Sequence, residues 1–288
     1  MDTKDLLTEA LSDGAGYYIR AGRLIESGRS QYQDYEVWET PEFGKLFRLD
    51  GSFMTSERDE FFYHENLIHV AALAHPGPES ALIIGGGDGG SAEELFKYPS
   101  MRRVVLVELD GKVVDIARAH LQAVHHGALD DPRLELRIED GLRYVHEIAP
   151  AAHERFDLIV LDLTDPVGPA ETLYAEPFLA ACRKLLTPLG ALTLHLGAPV
   201  FQPKRLRTIL GNLREAFRIV VPYFMYIPLY GSQWSMACAS DGLDPRAVDA
   251  AELDRRIVER RVGDLQYYNG GIHHAQCVIP NYLRRLLE

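Results

Sequence analysis

Apolar and polar positions first alternate along this chain and then change period. Tyr35-Glu36-Val37-Trp38-Glu39 and Lys45-Leu46-Phe47-Arg48-Leu49 are short runs of period two. Pro41-Glu42-Phe43-Gly44 joins them as a hairpin signature, and Asp50-Gly51 turns the chain again. From Asp59 to Ala74 the spacing becomes helical, with Phe62, Leu67, Val70 and Leu73 as inward candidates. Residues 1–75 are therefore expected to form a small β-rich unit with a connecting helix.

After His75-Pro76-Gly77-Pro78 the pattern switches to continuous apolar runs separated by amphipathic stretches. Strands are predicted at 81–84, 104–107, 134–138, 156–161 and 191–194. Helices are predicted at 91–98, 112–121, 142–148, 173–185 and 204–217. Fully apolar strands alternating with helices predict a mostly parallel sheet covered on both faces. Two further strands, 220–226 and 235–239, close it as an antiparallel edge. The expected fold class is α/β: a Rossmann-like domain of the class I methyltransferase type over 76–288, behind a small N-terminal β domain.

Bulk properties narrow the function. A chain of 288 residues with 47% hydrophobic and 25% charged content is long enough to bury a full core. No apolar stretch approaches the roughly 20 residues of a membrane span. The opening Met1-Asp2-Thr3-Lys4-Asp5-Leu6-Leu7 lacks the basic and apolar regions of a secretory leader. Cys182, Cys238 and Cys277 are scattered without metal-ligand spacing, as expected of reduced thiols in a cytoplasmic protein. With 42 acidic against 30 basic residues the net charge is −12, which argues against a nucleic-acid partner and is compatible with steering cations.

The chemistry concentrates at four strand ends. Phe156-Asp157-Leu158-Ile159-Val160-Leu161 runs into Asp162-Leu163-Thr164-Asp165-Pro166-Val167-Gly168-Pro169-Ala170, two carboxylates three residues apart beside two prolines. One such acid could merely cap the next helix. A pair at the carboxyl end of a parallel strand suits a cationic substrate and an amine that must lose a proton.

Gly85-Gly86-Gly87-Asp88-Gly89-Gly90 formally satisfies the dinucleotide fingerprint, and Glu108 ends the next strand. Asp88 argues against a dinucleotide, whose pyrophosphate it would repel. A nucleoside sulfonium with a cationic tail and no phosphate would welcome that carboxylate. Glu108 is then placed for the ribose hydroxyls, and Asp140-Gly141 for the adenine amino group. Between methyl and aminopropyl transfer, the paired acids favour aminopropyl transfer to a polycationic amine.

The ordered motifs resemble the polyamine aminopropyltransferase (spermidine synthase) family over nearly the whole chain. They are Tyr32-Gln33-Asp34, Leu49-Asp50-Gly51, the run Glu57-Arg58-Asp59-Glu60-Phe61-Phe62-Tyr63-His64-Glu65, the glycine loop, Val107-Glu108-Leu109-Asp110, Asp131-Pro132-Arg133, Asp140-Gly141 and the 162–170 loop. Ile227-Pro228-Leu229-Tyr230, Tyr267-Tyr268-Asn269 and His273 follow. The resemblance implies decarboxylated S-adenosylmethionine as co-substrate, with no prosthetic group and no metal, and methylthioadenosine as by-product. It implies that Asp162, with Tyr63 beside it, helps deprotonate the attacking amine. It further implies that Asp165, Tyr230 and His64 hold the acceptor, while Gln33, His64, Gly85, Gly87, Asp88, Glu108, Asp140 and Gly141 hold the donor. A homodimer or homotetramer is expected.

Three features depart from the family pattern: Leu163 where a small residue is common, Met54 where a glutamine is expected, and Leu194-His195-Leu196-Gly197-Ala198, which lacks the usual glutamate. They fall on the acceptor side, so the amine stays open among putrescine, cadaverine, agmatine and spermidine, with putrescine the first expectation. Two rival classes are a methyltransferase, whose intact donor carries a carboxylate that Asp88 would repel, and a polyamine-binding sensor without catalysis. Such a sensor would not need Asp162, Asp165, Tyr63 and Asp88 together.

Overall fold

The structure is a computed structural model that describes residues 6–166 and 168–287. Met1–Asp5, on which much of the leader expectation rests, and Val167 of the proline-rich loop lie outside the described residues.

The N-terminal unit is more strand-rich than the alternation shows. β1 (Leu6–Ser12) and β2 (Ala15–Arg20) form an antiparallel hairpin of their own. β3 (Arg23–Arg29), β4 (Asp34–Thr40), β5 (Gly44–Leu49) and β6 (Ser52–Ser56) form a four-stranded antiparallel sheet in sequence order. The first three strands carry mixed, half-exposed side chains, so no clean period marks them. Asp50 and Gly51 both take positive φ (47° and 83°), the two-residue turn geometry that matches strand twist, and this sets Leu49 opposite Ser52.

α1 (Glu60–Ala74) follows. It is buried on almost every side from Tyr63 onward, so the amphipathic stripe expected of it is only half the story. Phe62 is half-buried, while Glu65, Asn66 and His69 are inside. The helix has no basic residue in its last turn. Its terminal carbonyls are instead met by Arg256 and Arg260, which donate to Leu73, Ala74, Ala72 and His75 at 2.8–3.2 Å. These arginines come from the helix Ala250–Glu259, one of three C-terminal helices, with Gly270–Gln276 and Asn281–Leu287, that the sequence pattern did not mark.

The large sheet has seven strands in the order β12-β13-β11-β10-β7-β8-β9. β7 (Ser80–Gly85), β8 (Arg103–Glu108), β9 (Leu134–Ile138), β10 (Phe156–Asp162) and β11 (Leu186–Gly197) run parallel. β12 (Ile219–Ile227) and β13 (Ser232–Ser240) add antiparallel, as expected of that edge. α2 (Gly90–Phe96) and α3 (Gly111–His120) follow β7 and β8. The expected helix at 173–185 is shorter, Glu176–Lys184, because a 3₁₀ stretch, Gly168–Tyr174, precedes it. Strand order reverses between β7 and β10, so a crevice opens beyond their carboxyl ends. Among the described residues no helix is long and apolar enough to cross a membrane.

Candidate active site

A cavity of about 600 Å³ occupies that crevice. Its floor is the glycine loop after β7. Gly85 has φ +81°, and a Cβ there would lie 2.1 Å from the Asp162 carbonyl oxygen, so only glycine lets the ends of β7 and β10 approach this closely. The Gly86 amide closes the contact by donating to that same carbonyl at 2.9 Å. Gly87 N–H lies 3.2 Å from Glu108 Oε2, with Glu108 Oε1 accepting from Asp110 N–H at 2.8 Å. Burial raises the Glu108 carboxyl to about 7, against the lowering effect of these two amides.

Asp88 accepts from Gly90 N–H at 3.0 Å through one oxygen. Its other oxygen lies 3.7 Å from His64 Nε2. His64 comes from α1, and its Nδ1 is 2.7 Å from Glu60 Oε2. Burial alone would lower the imidazole, but the charges of Asp88 and Glu60 outweigh it and raise His64 to about 10. The ring packs on Gly90, where a Cβ would sit 2.3 Å from it. His64, Asp88 and Asp162 place potential ligand atoms within 4.8 Å of one another, with His64 Nε2 3.7 Å from Asp88 Oδ2.

Asp162 stands at the centre. Ser91 Oγ donates to its Oδ2 at 2.7 Å, and Tyr63 hydrogen-bonds to it as well. Burial and the nearby Asp88 charge raise its pKa, while His64, Ser91 and Tyr63 pull it down. The result is a shielded carboxylate with more appetite for a proton than a surface aspartate.

Beyond Asp162 the wall turns aromatic. Tyr63 and Tyr230 meet edge-on at 5.9 Å, and Tyr230 lies 4.6 Å from Trp234. Tyr230 donates its hydroxyl to the Met54 carbonyl at 2.8 Å, which leaves the oxygen free to accept. At position 54 it is the backbone that serves the site.

At the opposite end, Gln33 reaches in from the N-terminal sheet. Its Nε2 is held by Asp110 Oδ2 at 3.0 Å. Asp140 is exposed at the cavity rim and caps the turn at Gly141 by accepting from Leu142 N–H at 2.8 Å. Gln33, Tyr63, His64, Asp88, Glu108 and Asp140 thus face one space, together with Gly85, Gly87, Gly141, Asp162 and Tyr230. Asp165 is the exception: it does not line the cavity, and its Oδ2 lies 2.6 Å from Arg205 Nη1.

Several residues that sequence reasoning passed over belong to this region. Ser91 is the first-turn hydroxyl of α2. Asp59 lines the cavity, accepts from Leu229 N–H at 2.7 Å and is raised to about 6, chiefly by burial. Glu9, from the N-terminal hairpin, accepts from Phe53 N–H at 2.6 Å and is raised to about 7 by burial. His195 stacks on Trp234 at 5.8 Å, with Nε2 2.6 Å from the Tyr174 hydroxyl and Nδ1 unpartnered. Ser91 directly follows the glycine loop, Asp59 lies inside the run Glu57–Glu65 and His195 inside 194–198, while Glu9 is joined to the region by tertiary contact alone.

Comparison with known proteins gives this arrangement a family. Residues 60–260 match the spermine/spermidine synthase domain, and residues 8–57 match the spermidine synthase tetramerisation domain. The chain belongs to the spermine/spermidine synthase family. It is 46% identical to the polyamine aminopropyltransferase of Nitrosomonas europaea over 99% of this chain and 86% of that one. To the polyamine aminopropyltransferase of Bacillus subtilis it is 34% identical, over 98% of each chain. Among solved structures, spermidine synthase from Thermotoga maritima superimposes with a TM-score of 0.88 at 34% identity, over 98% of this chain and 94% of that one. A spermidine synthase in complex with the transition-state analogue AdoDATO superimposes with a TM-score of 0.89 at the same identity and coverage. As a member of the family this chain is an aminopropyl-transferring enzyme with a Rossmann-like core, and the expected fold class holds.

Proposed function

We propose that the chain moves the aminopropyl group of decarboxylated S-adenosylmethionine onto an aliphatic amine, with putrescine the first acceptor, and releases methylthioadenosine. The observation that carries this reading is Asp162: a half-buried, cavity-facing carboxylate with a raised pKa, set between an acidic donor pocket and an aromatic acceptor wall. In the mechanism, the acceptor amine approaches along the Tyr63–Tyr230 wall and gives a proton to Asp162. Its nitrogen lone pair then attacks the carbon beside the sulfonium. The carbon–sulfur bond breaks and its electrons return to sulfur, leaving a neutral thioether. Rate comes from alignment and from removal of that proton.

The remaining roles follow the chemistry of each group. Asp88 pairs with the ammonium of the aminopropyl tail and disfavours the carboxylated donor. Glu108 accepts from the ribose hydroxyls, Asp140 and Gly141 frame the adenine, and Gln33 closes the nucleoside from the N-terminal sheet. Gly85 and Gly87 let the donor approach the backbone. His64 bridges the two substrates by holding Asp88. Tyr230, Asp165, Asp59 and Glu9 supply lone pairs and negative charge for the acceptor. We take residues 1–75 and 76–288 as the two units of the chain, with the first mediating assembly into a homo-oligomer, and the cytoplasm as its compartment.

The test is a product assay by mass spectrometry with decarboxylated S-adenosylmethionine and putrescine, cadaverine, agmatine or spermidine, each separately. Intact S-adenosylmethionine serves as a parallel donor. An aminopropyl mass gain with methylthioadenosine released is expected, fastest with putrescine. A methyl gain from the intact donor, or donor binding without transfer to any amine, defeats the reading.

A further inference from the structure

Asp165, the carboxylate proposed above to take the acceptor's second charge, stands outside the cavity lining and is already held by another cation of the same chain. Arg205 Nη1 sits 2.6 Å from Asp165 Oδ2, with the arginine side chain 20% and the aspartate 41% exposed. The guanidinium is fixed from behind: Nη1 also lies 3.0 Å from Gln202 Oε1, and that oxygen accepts from Ala198 N–H at 3.2 Å. Gly197 makes the space. Its φ is +85°, and a Cβ there would meet Gln202 Oε1 at 2.4 Å and Arg205 Cδ at 3.4 Å. The segment that departs from the family pattern, Leu194–Ala198, is therefore the segment against which Arg205 docks.

The placement is not explained by helix electrostatics. Arg205 lies in the first turn of the helix Pro203–Ala216, a turn with no acidic residue. A cation there opposes the helix dipole. Asp165 supplies the compensating charge from outside the helix.

We infer that Arg205 is an internal counter-cation that sets acceptor affinity: its guanidinium occupies the carboxylate offered to the acceptor's second ammonium, which must displace it to bind. This deepens the acceptor role proposed above for Asp165 and rests on it. A half-exposed ion pair is weak enough for a substrate cation to replace it. After displacement the guanidinium remains nearby, so the like charges still repel and affinity stays low. No covalent step is involved; one cation exchanges for another on one carboxylate.

The experiment compares initial-rate kinetics of the full-length parent, Arg205→Gln and Arg205→Lys, varying putrescine at saturating donor and then donor at saturating putrescine. Removing the charge is expected to lower the putrescine KM about fivefold. The same variant keeps kcat and the donor KM within about twofold. Arg205→Lys, which keeps the charge, is expected to follow the parent. A putrescine KM that stays the same or rises in Arg205→Gln, with the parent's circular dichroism and thermal midpoint, overturns the inference and makes Arg205 a strut for the loop. Should that variant not fold, Arg205→Met keeps the aliphatic stem without the charge and carries the same reading. A parent that transfers nothing to any amine sinks the functional reading and this inference together. An active parent with an unchanged KM in the variant sinks the inference alone.

Discussion

At the scale of single residues, Asp162 can do what its neighbours cannot. Asp88 and Glu60 are committed to His64, which their charges keep protonated. Glu108 is tied to two backbone amides. Asp162 accepts from hydroxyls, Ser91 and Tyr63, and its burial raises its affinity for a proton without a full positive charge bonded to it. Asp162→Asn keeps the size and removes the proton acceptor. Turnover is expected to fall by at least about a hundredfold, with donor affinity by calorimetry largely kept. Near-normal turnover of verified protein would remove Asp162 from the proton-transfer role. Asp162, Asp88 and Glu108 were legible in the sequence because each sits at a strand end or in the glycine loop, where its charge suggests a role, whereas Tyr63 was named only through the family resemblance. Asp59 and Glu9 were not legible as site residues. Glu9 reaches Phe53 and Tyr17 across the N-terminal unit, and nothing in its local run, Leu7-Thr8-Glu9-Ala10, distinguishes it from a solvated strand acid.

At the scale of elements, α1 decides how rigid the site is. It presents Tyr63 and His64 to the cavity and, from the next position, buries Glu65. That carboxylate accepts from the amides of Gln266, Tyr267 and Tyr268 at 2.6, 2.9 and 2.7 Å. Three adjacent amides on one carboxylate fix the C-terminal segment onto α1. Glu65→Ala leaves those amides unpaired, the Tyr268 amide buried and the other two part-buried, at about 3 kcal/mol of stability. Denaturant unfolding measures that loss, and hydrogen exchange over 265–277 is expected to quicken selectively. A loss under about 1 kcal/mol, or exchange unchanged there, would mean the contact is replaceable. The parallel strands were legible because each is an unbroken apolar run. The C-terminal helices were not, since their anchoring comes from Arg256, Arg260 and these amides rather than from an apolar stripe. The burial of α1 on nearly all sides likewise depends on tertiary partners, α2 and β11 along its length and Arg256 and Arg260 at its C-terminal carbonyls, that no local period reveals.

At the scale of the whole molecule, the site makes the empty protein uneasy at the pH where it works. Burial raises Glu9, Glu93 and Glu108 to about 7 and Asp59 to about 6. Between their ordinary values near ~4 and these raised ones the folded chain holds more protons than the unfolded chain. Stability from these groups therefore falls as pH rises from about 4.5 to about 7. His64, raised to about 10, has the same sign: its contribution is full below about 6.5 and fades as pH climbs toward 10. Glu94 works the other way, held near about 2 because its pairing with His69 overcomes burial, but its contribution is lost only below about 4.5. Burial lowers His75, His125, His195 and His273, so these four raise stability with pH up to about 6.5, and the thermal midpoint of the ligand-free protein, scanned from pH 5.5, is expected to drop from about pH 6.5 to pH 9. A cationic ligand bound beside Glu9 and Asp59 favours their ionised forms, so putrescine with methylthioadenosine is expected to raise the midpoint more at pH 8 than at pH 5.5. Thermal scans over that range, with and without both ligands, decide it. A midpoint that climbs with pH above about 6.5 in the empty protein, or a ligand shift independent of pH, would show that these carboxyls are not held protonated by the fold. The negative interior around the cavity would then owe its tolerance to solvent rather than to substrate charge.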